Sequence, residues 1–126
     1  MRLKLALVAL AAAAALPVSG AGADAARGER LYDRCGACHS LDRDRTGPRH
    51  CGLFGRKAGT VPGFAYSEAM RTSGIVWNAK TLDRFLAAPL EAVPGTSMGY
   101  AGIPDASERR DLIAYLERAG RSKDCR

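Results

Sequence analysis

Aromatic residues are scarce in this chain of 126 residues: they make up 6% of it and include a single tryptophan. A chain of this length forms one domain at most, and aromatic side chains usually dominate the energetics of a domain core. We therefore expect a core that needs apolar material from outside the polypeptide. The flat face of a buried macrocycle would supply it.

A second long apolar run is missing after the N-terminus, so no other segment is predicted to span a membrane. Residues 1–25 have the layout of a secretory signal peptide: Arg2 and Lys4, an apolar run over 5–16, and small-x-small sites after Ala23 and Ala25. We expect removal of this peptide and a domain over 26–126 with a short C-terminal tail. An uncleaved anchor is the weaker alternative, because the apolar run is short.

A second C-x-x-C pair is also missing, which leaves the pair Cys35 and Cys38 without the partners of a zinc site. No strand-like run surrounds the pair, which disfavours a thioredoxin-like motif. His39 follows directly, and C-x-x-C-H is the pattern of c-type haem attachment. Cys35 and Cys38 would form thioethers to the porphyrin, and His39 would be an axial ligand of the iron. On the motif alone, a redox dithiol and a chance occurrence remain alternatives.

A sixth ligand for the iron is available at Met98, in the segment Pro94-Gly95-Thr96-Ser97-Met98. A methionine is more often a pliable core filler. Here it lies in a Pro/Gly loop rather than on an apolar helical stripe, which favours the ligand interpretation. A thioether opposite an imidazole raises the reduction potential of a haem.

The sequence resembles class I cytochrome c of the mitochondrial and c2 type, from Gly28 to Ala119. Dispersed motifs at matching spacings carry the resemblance: Gly47-Pro48, 52–59, 62–67, 74–77, 94–98, 101–103 and 111–116. It implies an all-α class I fold, with three main helices and long loops around one covalently bound haem c. The residues themselves predict a first helix over 24–35, which Asp24 can cap, and a last helix that Asp105 and Glu108 open as a capping box. The resemblance implies that these two helices cross, with Gly28 at the contact.

The resemblance also implies roles for residues that surround the haem. The Pro48 carbonyl would accept a hydrogen bond from His39, and Arg56, Tyr66 and Trp77 would bind the inner propionate, since a buried carboxylate must be paired. The alternative is a surface arginine and two core aromatics. His50 is either a rival iron ligand or, as we favour, a structural histidine.

Cys51 and Cys125 remain after haem attachment, and in an oxidising compartment such a pair favours a disulfide. The family does not require these cysteines. Closing so long a loop would stabilise the fold by roughly 4 kcal/mol on the chain-entropy model. Two free or intermolecular thiols are the alternative.

The function that these features imply is one-electron transfer in a respiratory or related chain, by a periplasmic protein that is not an enzyme. Expected partners are redox proteins: a membrane cytochrome complex or periplasmic dehydrogenase as donor, and a terminal oxidase as acceptor. We expect a monomer without stable membrane insertion. If Met98 were a labile ligand, a haem peroxidase or gas sensor would be the alternative.

The charge of the chain is +6, and removing Arg2 and Lys4 leaves 17 basic against 13 acidic residues, or +4. This balance is too slight for nucleic-acid binding but suits docking on acidic protein faces. Leu90, Glu91 and Ser97 stand where mitochondrial relatives carry lysines, so docking is expected to depend less on salt.

Two further departures from the family concern the predicted haem pocket. Phe85 replaces a tyrosine and Met70 replaces an asparagine. Both changes make the pocket beside Met98 more apolar. We therefore expect a raised reduction potential, because apolar surroundings disfavour the extra positive charge of ferric iron.

Overall fold

A computed structural model describes residues 22–126; residues 1–21, with most of the predicted signal peptide, lie outside the described residues. The described chain is helical, and its only β feature is an isolated bridge between Lys57 and Val76. The prediction of an all-α fold is confirmed. None of the described helices is long and apolar enough to cross a membrane. The helices are α1 Ala25–Tyr32, α2 Glu68–Arg71, α3 Ala79–Ala87, α4 Pro89–Ala92 and α5 Ala106–Ala119.

Short polar side chains fix the starts of α1 and α3. The Asp24 carboxylate accepts a hydrogen bond from the Arg27 N–H at 3.0 Å and caps α1. Asn78 and Thr81 form a reciprocal capping box at the start of α3. The first helix was predicted over 24–35, but α1 ends at Tyr32, and the chain continues to Cys35 as a 3₁₀ turn.

At the start of α5, only the Asp105 half of the predicted capping box forms. Asp105 accepts hydrogen bonds from the N–H groups of Ser107 at 2.7 Å and Glu108 at 3.0 Å, as expected. The Glu108 side chain does not return to Asp105. Its two oxygens instead accept hydrogen bonds from the guanidinium of Arg34 at 2.8 and 3.2 Å. Arg34 lies just beyond α1, and a guanidinium can bind a carboxylate through two parallel hydrogen bonds.

The crossing of α1 over α5 occurs at Gly28, as the sequence predicted. A Cβ on this residue would lie 2.0 Å from the Asp111 carbonyl oxygen and 2.8 Å from the Tyr115 Cβ. The two backbones therefore approach more closely than any other residue would allow. Leu112 and Leu116 of α5 continue from this contact into the core.

The segment that carries Met98 is anchored after the methionine, at the end of α3. The Ile103 N–H donates to the Leu86 carbonyl at 2.8 Å. Gly102 has a φ of 105°, and a Cβ there would lie 2.3 Å from the Ala87 oxygen. Arg109 of α5 completes the anchor, since it donates to the Ile103 carbonyl at 2.9 Å. The segment is thus closed on a helix rather than left as an open loop.

Cys51 and Cys125 form a disulfide in this structure, with their Cα atoms 5.2 Å apart. Beside it, the Gly52 N–H donates to the Gly120 carbonyl at 3.2 Å. The end of α5 therefore contacts the loop that follows the C-x-x-C-H motif through backbone as well as sulfur. The Cys51 carbonyl also accepts a hydrogen bond from Arg56 at 3.0 Å.

Replacing Gly28 by alanine should lower the free energy of unfolding by about 3 kcal/mol, because the methyl group must separate two packed helices. The better helix propensity of alanine, about 1 kcal/mol, is too small to offset this. Denaturant unfolding of the haem-loaded protein measures the change. Ala26→Ser, at an exposed position of the same helix, is the control and should change stability by less than about 1 kcal/mol; equal effects of the two variants would contradict the packing argument.

Replacing Cys51 and Cys125 together by serine should lower the free energy of unfolding by about 4 kcal/mol, through the greater freedom of the unfolded chain. Reductant should destabilise the wild type by a similar amount and leave the double variant unchanged. The measurement is denaturant unfolding with and without reductant, combined with a thiol assay. Two reactive thiols in the oxidised wild type would contradict the prediction.

Candidate functional site

A cavity of about 530 Å³ lies between α1, α3, α5 and the loops that connect them. Its wall is mostly apolar, with Leu53, Leu82, Leu86, Leu112 and Leu116 among its residues. The size and lining suit a large flat apolar group with a few polar contacts. All eight residues that the sequence assigned to haem binding line this one cavity: Cys35, Cys38, His39, Pro48, Arg56, Tyr66, Trp77 and Met98.

His39 is held against the loop that follows it. The Gly47 N–H donates to the Cys38 carbonyl at 2.8 Å, which folds residues 39–47 back on the motif. A Cβ on Gly47 would lie 2.3 Å from His39 Cε1, so only a glycine allows the imidazole to pack there. The ring plane is therefore set by backbone contact as well as by its hydrogen bond.

The hydrogen bond of His39 determines which of its nitrogens faces the cavity as an acceptor. Nδ1 lies 2.8 Å from the Pro48 carbonyl oxygen. Because a carbonyl only accepts, Nδ1 carries the proton, and Nε2 keeps its lone pair. Burial lowers the pKa of His39, so the ring is neutral and available as a ligand. A backbone carbonyl on the other ring nitrogen is the usual partner of a metal-binding histidine.

The two cysteines of the motif are placed for attachment rather than for dithiol chemistry. A turn brings them together, with the Cys38 N–H donating to the Cys35 carbonyl at 3.1 Å. Burial raises the pKa of the Cys35 thiol to about 11. Redox-active C-x-x-C motifs instead have a lowered thiol pKa. The burial and the raised pKa of Cys35 thus disfavour the dithiol alternative that the motif alone left open.

Met98 reaches the cavity from a tight turn. Thr96, which is buried, accepts a hydrogen bond from the Met98 N–H on its hydroxyl at 3.2 Å, and its own N–H donates to the Val93 carbonyl at 3.0 Å. Gly95 has a φ of 90° and makes the turn possible. A methionine held in this way is fixed by backbone rather than used as loose core filling.

Arg56 is a half-buried cation without a carboxylate partner among residues 22–126. Its guanidinium donates to the carbonyls of Arg49 at 2.9 Å and Cys51 at 3.0 Å, which leaves other N–H groups for a ligand. Burial lowers the pKa of Arg56, so a buried anion would stabilise its charge. Tyr66 accepts from the Val61 N–H at 3.2 Å, and its own hydroxyl proton remains available.

His50 is the residue of the site whose role the sequence left open. Its ring stacks on that of His39, with centroids 4.2 Å apart and planes 21° apart, and its Nδ1 lies 2.9 Å from the Tyr32 hydroxyl. It therefore lies on the His39 side of the cavity and not opposite it. This geometry supports the structural interpretation. No sequence pattern indicates the stacking, because it depends on how the loop after the motif closes.

The wall contributed by Met70 and Phe85 is apolar, as the sequence indicated. Both side chains are buried and line the cavity. The Phe85 ring also contacts Trp77, with ring centroids 5.1 Å apart. Neither side chain can offer a hydrogen-bond donor to a ligand or to water in the cavity. The pocket is thus short of polar groups on this side.

Comparison with known proteins identifies the family. The cytochrome c family model matches residues 25–119. A cytochrome c from Euglena viridis is 46% identical over 97 residues, 75% of this chain and 95% of that protein. A cytochrome c2 from Blastochloris viridis is 41% identical over 107 residues, 82% of this chain and 84% of that protein. The structure of cytochrome cH from Methylobacterium extorquens is 42% identical, with a TM-score of 0.74 over 75% of this chain and 98% of that one.

The chain therefore belongs to the cytochrome c family, and the resemblance inferred from the sequence is confirmed. It is an electron carrier with one covalently attached haem c rather than an enzyme, and its partners are redox proteins. The cavity fits this group, because it combines an apolar wall with a neutral imidazole, a thioether and an arginine that lacks a carboxylate partner within residues 22–126.

Replacing Phe85 by tyrosine should lower the reduction potential, because a hydroxyl in the apolar wall favours the ferric state. A differential interaction of about 1 kcal/mol corresponds to about 40 mV for one electron. A redox titration measures the shift. Phe54→Tyr, at a half-buried position outside the cavity wall, is the matched control; an unchanged or higher potential in Phe85→Tyr would count against the apolar-pocket argument.

Proposed function

We propose that this protein is a periplasmic electron carrier of a respiratory or related chain. His39 and Met98 are the two proposed ligands of its haem iron. The observation that carries the proposal is the convergence of all eight predicted haem residues on one cavity. Cys35 and Cys38 hold the porphyrin through thioethers. When bound, the haem supplies an iron that accepts and releases one electron.

His39 and Met98 would bind the iron of the haem and would thereby exclude other ligands. His39 presents Nε2 to the cavity because its Nδ1–H donates to the Pro48 carbonyl oxygen, 2.8 Å from Nδ1. Met98 is positioned by its bond to Thr96 and by the closure of its segment on α3. Because backbone contacts fix both side chains, they would need little rearrangement when the iron changes charge. They would also leave no open position for a substrate or a gas.

Three residues that line the cavity, Arg56, Tyr66 and Trp77, would bind the inner propionate of the haem. Arg56 supplies the positive charge and is itself held in place by the carbonyls of Arg49 and Cys51. Tyr66 and Trp77 supply hydrogen-bond donors from the same wall. This pairing neutralises a carboxylate that would otherwise be costly to bury.

The electron exits at the mouth of the cavity, where Cys38 is exposed and Tyr100 is half-buried. The positive charge near this mouth is partly neutralised, since Glu108 pairs with Arg34 at 2.8 Å. Leu90, at 53% exposure, adds an apolar side chain to the surface. These features suit a redox partner that docks with modest electrostatic attraction. The expected donors and acceptors are those of a bacterial electron-transport chain, and the carrier is a monomer.

Export across the inner membrane is part of the proposal. Haem attachment to C-x-x-C-H takes place outside the cytoplasm in bacteria, and residues 1–25 have the layout of a signal peptide. Removal of the peptide after Ala23 or Ala25 would leave the haem-binding domain and its short C-terminal tail. The Cys51–Cys125 disulfide is consistent with an oxidising compartment.

The optical spectrum of the protein purified from the periplasm tests the ligation. We expect a c-type spectrum when reduced, a weak far-red sulfur-to-iron band when oxidised, and no change with carbon monoxide. Met98→Ala should remove the far-red band and open the iron to carbon monoxide. Met70→Leu changes a second methionine that lines the same cavity and should leave both properties unaltered. Rapid carbon monoxide binding by the wild type would instead favour the peroxidase or sensor function.

A further inference from the structure

The start of the described chain makes an unusual contact with α5. Asp111 is 3% exposed. Its Oδ1 accepts a hydrogen bond from the backbone N–H of Asp24 at 2.8 Å, and its Oδ2 accepts from Arg27 Nη1 at 2.9 Å. A buried carboxylate needs such partners, because the loss of hydration is otherwise uncompensated. The position of the Asp24 nitrogen is therefore fixed by a charged group 87 residues away.

The two candidate cleavage sites have different consequences at this contact. Cleavage after Ala25 would remove Asp24, and with it the cap on Arg27, the carbonyl that accepts from Gly28 at 2.9 Å, and the donor to Asp111. It would also remove the first residue of α1. Of the described residues, cleavage after Ala23 removes only Gly22 and Ala23, which are both exposed, and it keeps every one of these bonds.

We propose that the mature chain begins at Asp24 and that its new α-ammonium group binds the buried carboxylate of Asp111. This inference rests on the proposed export. Cleavage converts the peptide N–H into a cation at a position already 2.8 Å from Oδ1, and a charged donor strengthens the bond. A cation at a helix N-terminus is otherwise unfavourable, because it opposes the helix dipole. Asp111 and the side chain of Asp24 offset that effect.

The charged groups around this amine come from both helices. Asp24 and Arg27 belong to the start of α1. Asp111, Glu108 and Arg110 belong to α5, and Glu108 lies 3.9 Å from Arg27. Arg27 is already bound to Oδ2, so Oδ1 is the oxygen that the ammonium would take. Cleavage of the signal peptide would thus add a second ion pair, beside that of Arg27 and Asp111, where α1 crosses α5.

The first test is the intact mass and N-terminal sequence of the haem-loaded protein, expressed from the full chain and isolated from the periplasm. A chain that begins at Asp24 is expected. A chain that begins at Ala26, or at any other residue, overturns the inference but leaves the export proposal standing. An uncleaved chain overturns both.

The second test is the pKa of the new α-amine, followed through the Asp24 Hα resonance in the reduced, diamagnetic protein. Ordinary α-amines have a pKa near 7.7–8.0. Pairing with Asp111 should raise it by about one unit, so that acylation of the amine at neutral pH is roughly tenfold slower. Asp111→Asn should return the pKa to the ordinary range. Glu117→Gln, at an exposed position of the same helix, should not. An ordinary pKa in the wild type would overturn the pairing, even if Asp111→Asn failed to fold.

Discussion

The structure depends on the need to enclose one large flat group with a chain that has few large side chains of its own. The cavity of about 530 Å³ occupies the centre of the described residues, and leucines from α3, α5 and the loop at Leu53 face it. These leucines belong to the hydrophobic core of the described residues, so one side of that core is also the wall of the cavity. The haem of the family would fill the space that this wall encloses.

This constraint explains where the close backbone contacts occur. Gly28 lets α1 approach α5 on one side of the cavity, and Gly47 lets the His39 ring lie flat against its own loop. Gly102 lets the segment of Met98 close on α3. Gly28 lies between two helices of the framework, so a side chain there would separate the helices. Gly47 and Gly102 lie beside His39 and in the segment of Met98, so a side chain at either would also displace a predicted iron ligand.

Most ion pairs among the described residues join two different elements of the fold, rather than two residues of the same element. Arg34 and Glu108 join the end of α1 to α5, and Arg109 and Asp83 join α5 to α3 at 2.7 Å. Such pairs have limited net stability where they are exposed. Their effect is to fix the relative positions of helices whose apolar surfaces meet a cofactor. Arg56 differs from these paired arginines, since it lines the cavity and has no carboxylate partner among residues 22–126.

The sequence by itself determined what depends on neighbouring residues: the C-x-x-C-H turn, the caps of Asp24 and Asp105, and the family to which the motifs belong. It also indicated which residues share the cavity, because the family resemblance fixes their spacing. Only the tertiary structure decided that Glu108 pairs with Arg34 instead of its own helix start, and that His50 stacks on His39. Both contacts depend on how distant segments or loops come together. A sequence shows that a carboxylate or an imidazole is present, but which partner it binds depends on the distances between side chains after folding.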